Sequence, residues 1–105
     1  MDFLMVYVTC KDEDEAKSIS SHLLEKRLIA CANMFPVKSM YRWEGKIERE
    51  VEMVIIMKTQ KGHKEKVLEE ILEMHSYDVP CVEFFEIKDG NPEYLDWIEK
   101  ETEPC

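Results

Sequence analysis

The stretch from residue 30 to residue 59 constrains the fold of this chain more than any other. It reads as two long strands joined by a tight turn at residues 43–46, where Gly45 suits a positive φ. A strand of about 14 residues spans about 46 Å, whereas a helix of about 17 residues spans about 25 Å. The hairpin is therefore expected to overhang any helix that packs on it.

The return strand of this hairpin has two different faces. One face is predominantly apolar and carries Ile47, Val51, Met53, Ile55 and Met57. The other face begins with three glutamates and then turns apolar, in the order Glu48, Glu50, Glu52, Val54 and Ile56. The strand is thus expected to be half exposed near the turn and buried on both faces near its end. An overhanging apolar face needs another surface, most simply another subunit.

Composition predicts one domain over residues 1–105, with one core of ordinary size from 45% hydrophobic residues. The net charge of −9 argues against nucleic acid and anionic membranes as partners, because both need basic surfaces. The first residues, MDFLMVYV, have no basic lead-in and only a short apolar run. Neither a signal peptide nor a membrane span is predicted, and the cytoplasm is the expected compartment.

The predicted order of elements is βαββαβ followed by a terminal helix. Besides the hairpin, hydrophobic spacing predicts strands at 3–9 and 81–87, a helix at 13–28, and a second helix that follows a break at Gly62 and runs to about Met74. Right-handed crossovers place both of these helices on one face of a single sheet. The result is an α+β, ferredoxin-like fold with an antiparallel sheet of strand order 4-1-3-2. The other face is left without a helix, except for the last one.

Smaller features refine these elements. Asp12 is expected to cap the first helix, with Glu15 in capping-box spacing, and Asn91 with Pro92 to open the last helix. Pro36 predicts a bend or bulge in the outgoing strand of the hairpin. Apolar residues at helical intervals are expected to face the core, namely Ala16, Ile19, Leu23, Leu24, Leu28, Val67, Leu68, Ile71 and Leu72.

The four cysteines do not form a recognisable zinc or redox motif, because neither C-x-x-C nor C-x-x-H occurs. In a cytoplasmic protein they should be free thiols. Cys31 and Cys81 lie in strand patterns and are expected to be small core residues. Cys105 ends the chain and is expected to be mobile. Cys10 follows the first strand and is the remaining candidate for chemistry.

His75, at the end of the second helix, has two interpretations. It either completes the helix terminus, where a histidine complements the dipole or caps a carbonyl, or it is a metal ligand or a pH-sensitive contact. Together with Cys10 it would offer an imidazole and a thiolate, which suit copper or another soft-to-borderline cation. The topology is expected to separate the two residues, at opposite ends of the antiparallel pair or across a subunit contact.

Other polar and aromatic residues leave alternatives open. Tyr41, Trp43 and Tyr77 either wall a cleft or pack at an interface. Lys58 either extends to the surface or pairs with a carboxylate such as Glu83. The sequence contains no nucleophile elbow, glycine-rich phosphate loop or paired catalytic carboxylates. Binding is therefore favoured over catalysis.

Five blocks of the sequence, taken in order, are specific in combination. They are LEKRLIACAN at 24–33, SMYRWEGKIE at 39–48, KT at 58–59, HSYDVP at 75–80 and GNPEYLDWI at 90–98. With these blocks the chain resembles the CutA family, the divalent-cation tolerance proteins, over nearly its whole length. The resemblance implies a ferredoxin-like subunit in a tight homotrimer similar to PII proteins, with long hairpins that extend sheets between subunits.

The resemblance also implies a link to metal tolerance, with copper(II) or another divalent cation bound in an intersubunit cleft and no catalysis. By position, Cys10 and His75 match places associated with copper ligation, and Trp43, Lys58 and Tyr77 match residues around the cleft. Glu83 is a further candidate for the cleft. The candidate interface residues are Tyr41, Trp43, Glu44 and Gly45. The alternative is a PII-like signalling or structural trimer that binds a small ligand or a partner protein without a physiological metal.

Three positions depart from the family pattern. Arg42 stands where a second aromatic residue is common, Ser76 replaces the usual proline after the histidine, and Cys81 follows Pro80. The histidine itself is kept, so a metal site remains possible. Ser76 is expected to loosen the loop that positions His75, because proline restricts the backbone.

Overall fold

The computed structural model describes residues 2–103, which form four strands and three α-helices, with a short 3-10 helix at Lys61–His63. In chain order the elements are β1 (Phe3–Cys10), α1 (Glu13–Glu25), β2 (Cys31–Trp43), β3 (Lys46–Gln60), α2 (Lys64–Met74), β4 (Val82–Ile87) and α3 (Pro92–Glu101). Neighbouring strands are antiparallel and the sheet order is β2-β3-β1-β4. The predicted α+β, ferredoxin-like fold is confirmed. Cys105 lies outside the described residues, so its mobility stays a prediction.

The β2–β3 hairpin dominates the shape of the subunit. Its strands pair without interruption from Cys31 opposite Lys58 to Trp43 opposite Lys46. Glu44 and Gly45 have positive φ values of 49° and 78°, as a two-residue type I′ turn requires. The predicted turn is confirmed. The hairpin accounts for a longest dimension of 45 Å, against 26 and 21 Å in the other directions.

Pro36 does not produce the predicted bulge. It lies opposite Met53 within the continuous register of β2 and β3. Since β2 is an edge strand of the sheet, a proline is tolerated where its nitrogen does not have to donate to the neighbouring strand. The register of β2 with β3 is therefore the same on both sides of Pro36, and side chains alternate between the two faces of the hairpin up to the turn.

Helices α1 and α2 cover one face of the sheet. The core between them is built from aliphatic side chains such as Val6, Val8, Ile55 and Ile71, all of them fully buried. The burial of β3 follows the alternation read from the sequence, because Val54, Ile55 and Met57 are buried, whereas Ile47 and Val51 near the turn are exposed. None of the helices within residues 2–103 is long and apolar enough to cross a membrane.

Two leucines that were predicted to face the core are exposed. Leu24 is 42% exposed and Leu72 is 51% exposed. Each directly follows a fully buried residue, Leu23 or Ile71, and consecutive positions on a helix point in directions about 100° apart. Adjacent apolar residues therefore do not indicate which of the two faces the sheet.

Helix α1 ends at Glu25, three residues before the predicted end. The chain leaves the helix through Arg27, which has a left-handed φ of 58°, a position that glycine usually occupies. The guanidinium of Arg27 donates to the backbone carbonyls of Lys100 and Glu103 at 3.0 and 2.8 Å. The end of α1 is thereby tied to the end of α3.

The opposite face of the sheet is covered at one end only. Ile98 of α3 is fully buried against Phe3 and Ala30, and α3 begins at the predicted cap, where the Asn91 side chain accepts from the N–H of Glu93. Farther along this face, Phe35 and Phe85 are exposed. The expectation that only the last helix packs on this face is confirmed for the described residues.

Candidate functional site

One end of the sheet brings together a thiol, a carboxylate and an imidazole. Cys10 is the last residue of β1, Glu15 lies in the first turn of α1, and His75 follows the last residue of α2. One ligand atom from each side chain lies within 4.8 Å of the other two. These three residues are called the Cys10–His75 cluster below.

This placement contradicts the expectation that Cys10 and His75 lie apart within a subunit. Strand β3 is antiparallel to β1, so it ends beside the start of β1, with Gln60 opposite Phe3. Helix α2 then runs back along the sheet and ends beside Cys10. The expectation was wrong because helix α2 brings the chain back along the sheet to the end of β1, where Cys10 lies.

Both ring nitrogens of His75 are engaged in hydrogen bonds. Nδ1 accepts from the backbone N–H of Tyr77 at 3.0 Å, which assigns the proton to Nε2. Nε2 then donates to the backbone carbonyl of Thr9 at 2.8 Å. His75 therefore caps a carbonyl, as one interpretation predicted, but the carbonyl belongs to β1. Metal binding through Nε2 would require His75 to lose its hydrogen bond to the backbone carbonyl of Thr9.

The Cys10 thiol is fully buried. Burial raises its pKa to about 12, and the negative charges of Glu15, Glu52 and Asp12 act in the same direction. The thiol is therefore protonated at neutral pH and is a poor nucleophile. Beside a divalent cation it would lose the proton more readily, because the positive charge stabilises a thiolate.

Glu15 links the start of α1 to the α2–β4 connection. Its Oε2 accepts from the N–H of Ser76 at 2.8 Å and its Oε1 from the N–H of Lys11 at 3.1 Å. Burial alone would raise the pKa of Glu15, but the hydrogen bonds from Ser76 and Lys11 outweigh it, and the pKa lies below its usual value. The carboxylate is therefore ionised and faces the thiol and the imidazole.

The donor set fits a borderline cation. Imidazole and thiolate suit copper and zinc, and a carboxylate adds the charge and the oxygen ligand that divalent ions accept. Ligands bind such ions at about 2.0–2.3 Å, so donor atoms that lie within 4.8 Å of one another need only small movements to share one ion. Cys10, His75 and Glu15 are the residues that would hold it.

A second feature is an open groove of about 1000 Å³ beside the hairpin. Glu52, on its floor, is buried and accepts from the hydroxyl of Tyr77 at 2.8 Å. Burial and this hydrogen bond raise the pKa of Tyr77. This acidic groove is lined by the aromatic residues Tyr7, Tyr41, Trp43 and Tyr77 and by the carboxylates Glu48, Glu50, Glu52 and Asp78.

The structure divides the residues predicted for the cleft and the interface. Trp43 and Tyr77 line the acidic groove together with Tyr41, whereas Glu44 and Gly45 form the exposed turn at the end of the hairpin. The aromatic residues therefore wall a groove of a single subunit. The position of Tyr41, Trp43, Glu44 and Gly45 at a subunit interface stays a prediction.

Lys58 and Glu83 do not pair. Lys58 is half-buried near the far end of β3, and its ammonium donates to Oδ1 of Asn33 at 2.6 Å. Glu83 is exposed on β4, where its Oε1 lies 3.7 Å from Sγ of Cys81. Neither residue lines the acidic groove. The alternative in which Lys58 pairs with Glu83 is wrong, because strand β1 lies between β3 and β4.

The predicted core positions of Cys31 and Cys81 are also wrong. Both are half-buried, and with Cys10 they are free thiols. Sγ of Cys31 lies 3.3 Å from the hydroxyl of Tyr94, and Cys81 precedes β4 and lines the acidic groove. Among the cysteines that the structure describes, the fully buried one is Cys10, which the sequence placed at the end of the first strand.

Two carboxylates of the sites were not predicted as functional. Glu15 was expected only in a capping box with Asp12, and Asp12 does accept from the N–H of Glu15 at 2.9 Å. The Glu15 carboxylate, however, reaches back to Lys11 and across to Ser76. The signal was its position in the first turn, which places it beside the end of β1. Glu52 had a signal too, as the last glutamate before β3 turns apolar.

Comparisons with known proteins agree with one another. A family model described as CutA1 divalent ion tolerance protein matches residues 4–101. Divalent-cation tolerance protein CutA of Archaeoglobus fulgidus is 44% identical over 98 residues, which cover 93% of this chain and 96% of that protein. The Pyrococcus horikoshii protein of the same name is 41% identical over 99 residues, with 94% and 97% covered.

A solved structure from Archaeoglobus fulgidus, described as a periplasmic divalent cation tolerance protein CutA, has the same fold. It matches with a TM-score of 0.95 at 42% identity, over 96% of this chain and 99% of that chain. The CutA1 structure from Pyrococcus horikoshii matches with a TM-score of 0.92 at 40% identity, over 95% and 98% of the two chains.

Proposed function

The chain belongs to the CutA1 family of divalent ion tolerance proteins, and we propose that it binds a divalent cation, copper(II) first, without catalysis. The observation that carries this proposal is the convergence of thiol, carboxylate and imidazole donors within 4.8 Å at the end of β1. His75 would supply nitrogen, Cys10 sulfur and Glu15 oxygen. A bound cation would supply the positive charge that stabilises the Cys10 thiolate.

Replacing His75 by alanine should weaken copper(II) binding by at least roughly 10- to 100-fold, the loss that is typical when a partner of a metal ligand is removed. The affinity is measured by calorimetry on the native protein. His63→Ala is the matched control, because His63 also bonds a backbone carbonyl, that of Thr102 at 2.6 Å, but belongs to neither site. Equal copper affinity in the His75 variant and the native protein would remove the cluster as the metal site.

The overhanging part of the hairpin supports a homotrimer as the second part of this proposal. One face of the overhang combines positive charge with exposed apolar side chains, and its members are Lys38, Met40, Arg42, Ile47, Arg49 and Val51. The other face carries Tyr41, Trp43, Glu48 and Glu50 of the acidic groove, whose lining also includes Lys38 and Met40 at the edge strand. Faces of opposite charge can meet when copies associate head to tail, and such contacts form a ring when the rotation between copies closes. The family resemblance implies a ring of three.

Reversing the two arginine charges of this basic face, in the variant Arg42→Glu/Arg49→Glu, should dissociate the trimer into monomers. Like charges brought together at an interface cost several kcal/mol. Analytical ultracentrifugation measures the result, and a second variant that adds Glu48→Lys and Glu50→Lys should restore the trimer.

The control for this charge change is Lys17→Glu/Lys66→Glu, at exposed helix positions whose pairs are with Glu13 and Glu69. It should sediment like the native protein. A native monomer, or a trimer that survives both charge reversals, would contradict the head-to-tail contact.

The acidic groove favours one alternative. A PII-like signalling or structural trimer could hold a small ligand or a segment of a partner protein there, and carboxylates beside aromatic faces suit a cationic group. Copper(II) affinity in the native protein that is no higher than in the His75 variant would favour this alternative.

We also place the protein in the cytoplasm, as part of the same proposal. Cys10, Cys31 and Cys81 are free thiols, which persist in reducing compartments.

A further inference from the structure

A fourth potential metal ligand lies beside the Cys10–His75 cluster. Met53 of β3 is directly opposite Cys10 in the antiparallel ladder with β1. Directly opposed residues point to the same face of a sheet, with their Cβ atoms about 4.5–5.5 Å apart. Met53 is half-buried and packs against the core cluster that contains Cys10. A thioether is therefore the neighbour of the buried thiol.

The cluster thus has ligands of two kinds around Cys10. Glu15 offers a hard oxygen within 4.8 Å of the thiol, and Met53 offers a soft sulfur from the neighbouring strand. Thiolates and thioethers select monovalent copper, whereas carboxylates suit divalent ions. Ligation by Glu15 and ligation by Met53 would therefore favour different oxidation states of copper.

Burial favours a ligand set whose charges cancel the charge of the ion. Cys10 is fully buried and His75 is 9% exposed, so a net charge at this position is costly. Monovalent copper with one thiolate, a neutral imidazole and a neutral thioether has no net charge. A divalent ion needs a further anionic ligand for the same balance, and Glu15 would supply it. With copper(I), the ionised Glu15 would instead keep its hydrogen bonds from the N–H groups of Ser76 and Lys11.

We propose that Met53 is a ligand for copper(I), which is held by Cys10, Met53 and His75. This assignment rests on the proposed function, because it takes Cys10 and His75 as metal ligands. The ion enters in its reduced form, so no electron transfer is required of the protein. Cys10 releases its proton to solvent as the copper–sulfur bond forms.

The test is the variant Met53→Leu, which keeps the volume of the side chain and removes the sulfur, a change that cores tolerate well. Copper(I) affinity, measured without oxygen by competition with a copper(I) chelator, should fall at least about tenfold. Zinc(II) and copper(II) affinities should not change. X-ray absorption of the copper(I)-loaded protein should count two sulfur ligands in the native protein and one in the variant.

Met57→Leu is the matched control. Met57 lies four residues farther along β3 on the same face, fully buried opposite Val6. Its copper(I) affinity and sulfur count should equal those of the native protein.

The outcomes separate this inference from the proposed function. A Met53→Leu protein with native copper(I) affinity and two sulfur ligands overturns the assignment of Met53 and leaves the divalent site standing. Equal loss of copper(I), copper(II) and zinc(II) in that variant also overturns it, because Met53 would then act only by supporting the cluster. If His75→Ala changes none of these affinities, the proposed function itself fails.

Discussion

Replacing Ile71 by alanine should lower the free energy of unfolding by about 2–5 kcal/mol, measured by urea denaturation at a fixed protein concentration. Ile71 is a fully buried residue of α2 in the core between the helices and the sheet. Alanine removes most of the Ile71 side chain from the buried cluster that also contains Val6, Val8 and Ile55, and it leaves a cavity there.

The neighbouring residue provides the control. Leu72→Ala, one position farther along α2 at a site that is 51% exposed, should change the stability by no more than about 0.5 kcal/mol. The sequence predicts both residues in the core, so the two variants test the orientation of α2. Comparable losses of stability at both positions would mean that α2 is rotated about its axis, so that Leu72 also faces the core.

Glu70 should make the protein less stable as the pH falls from about 4.5 towards 2. Its side chain is 6% exposed between α1 and α2, where Oε1 accepts from Lys26 at 2.6 Å and from His22 at 2.8 Å. These hydrogen bonds, that from Lys26 first, lower the pKa of Glu70 from 4.5 to about 2. The folded state thus favours the ionised carboxylate, and its contribution is complete above pH 4.5 and disappears as Glu70 is protonated.

Glu70→Gln is the variant that isolates this effect. It should have a lower thermal midpoint than the native protein at neutral pH, and the difference should shrink as the pH approaches 2, followed by circular dichroism. Glu65→Gln, an exposed position on the same helix, should follow the native curve. A Glu70 variant whose deficit persists undiminished at low pH would show that the carboxylate charge is not the cause.

The fold could be predicted from the sequence wherever a local pattern has one structural solution. The alternation of β3, the turn at Gly45 and the apolar spacing of the helices specify the elements, and right-handed crossovers specify their order. Errors arose where a local pattern is ambiguous. Leu24 and Leu72 each adjoin another apolar residue, and Arg27 ends α1 at a position where the sequence offers no glycine.

Two members of the candidate site could be predicted from the sequence, but their arrangement and the other members could not. Cys10 and His75 stand out by residue type, whereas their proximity depends on the path of α2 back along the sheet. Glu15 and Met53 have ordinary local roles, in a helix cap and in a strand. Their place beside Cys10 follows only from the register of β1 with β3 and from the approach of the α2–β4 connection.

The guanidinium of Arg27 has a consequence for how the subunit opens. The side chain of Arg27 donates to two backbone carbonyls at the end of α3. The backbone of Arg27 closes the last turn of α1. Fraying of either helix end therefore breaks hydrogen bonds of the other. With this link α1 and α3 should open as one cooperative unit, and amide protons in both should exchange at similar rates.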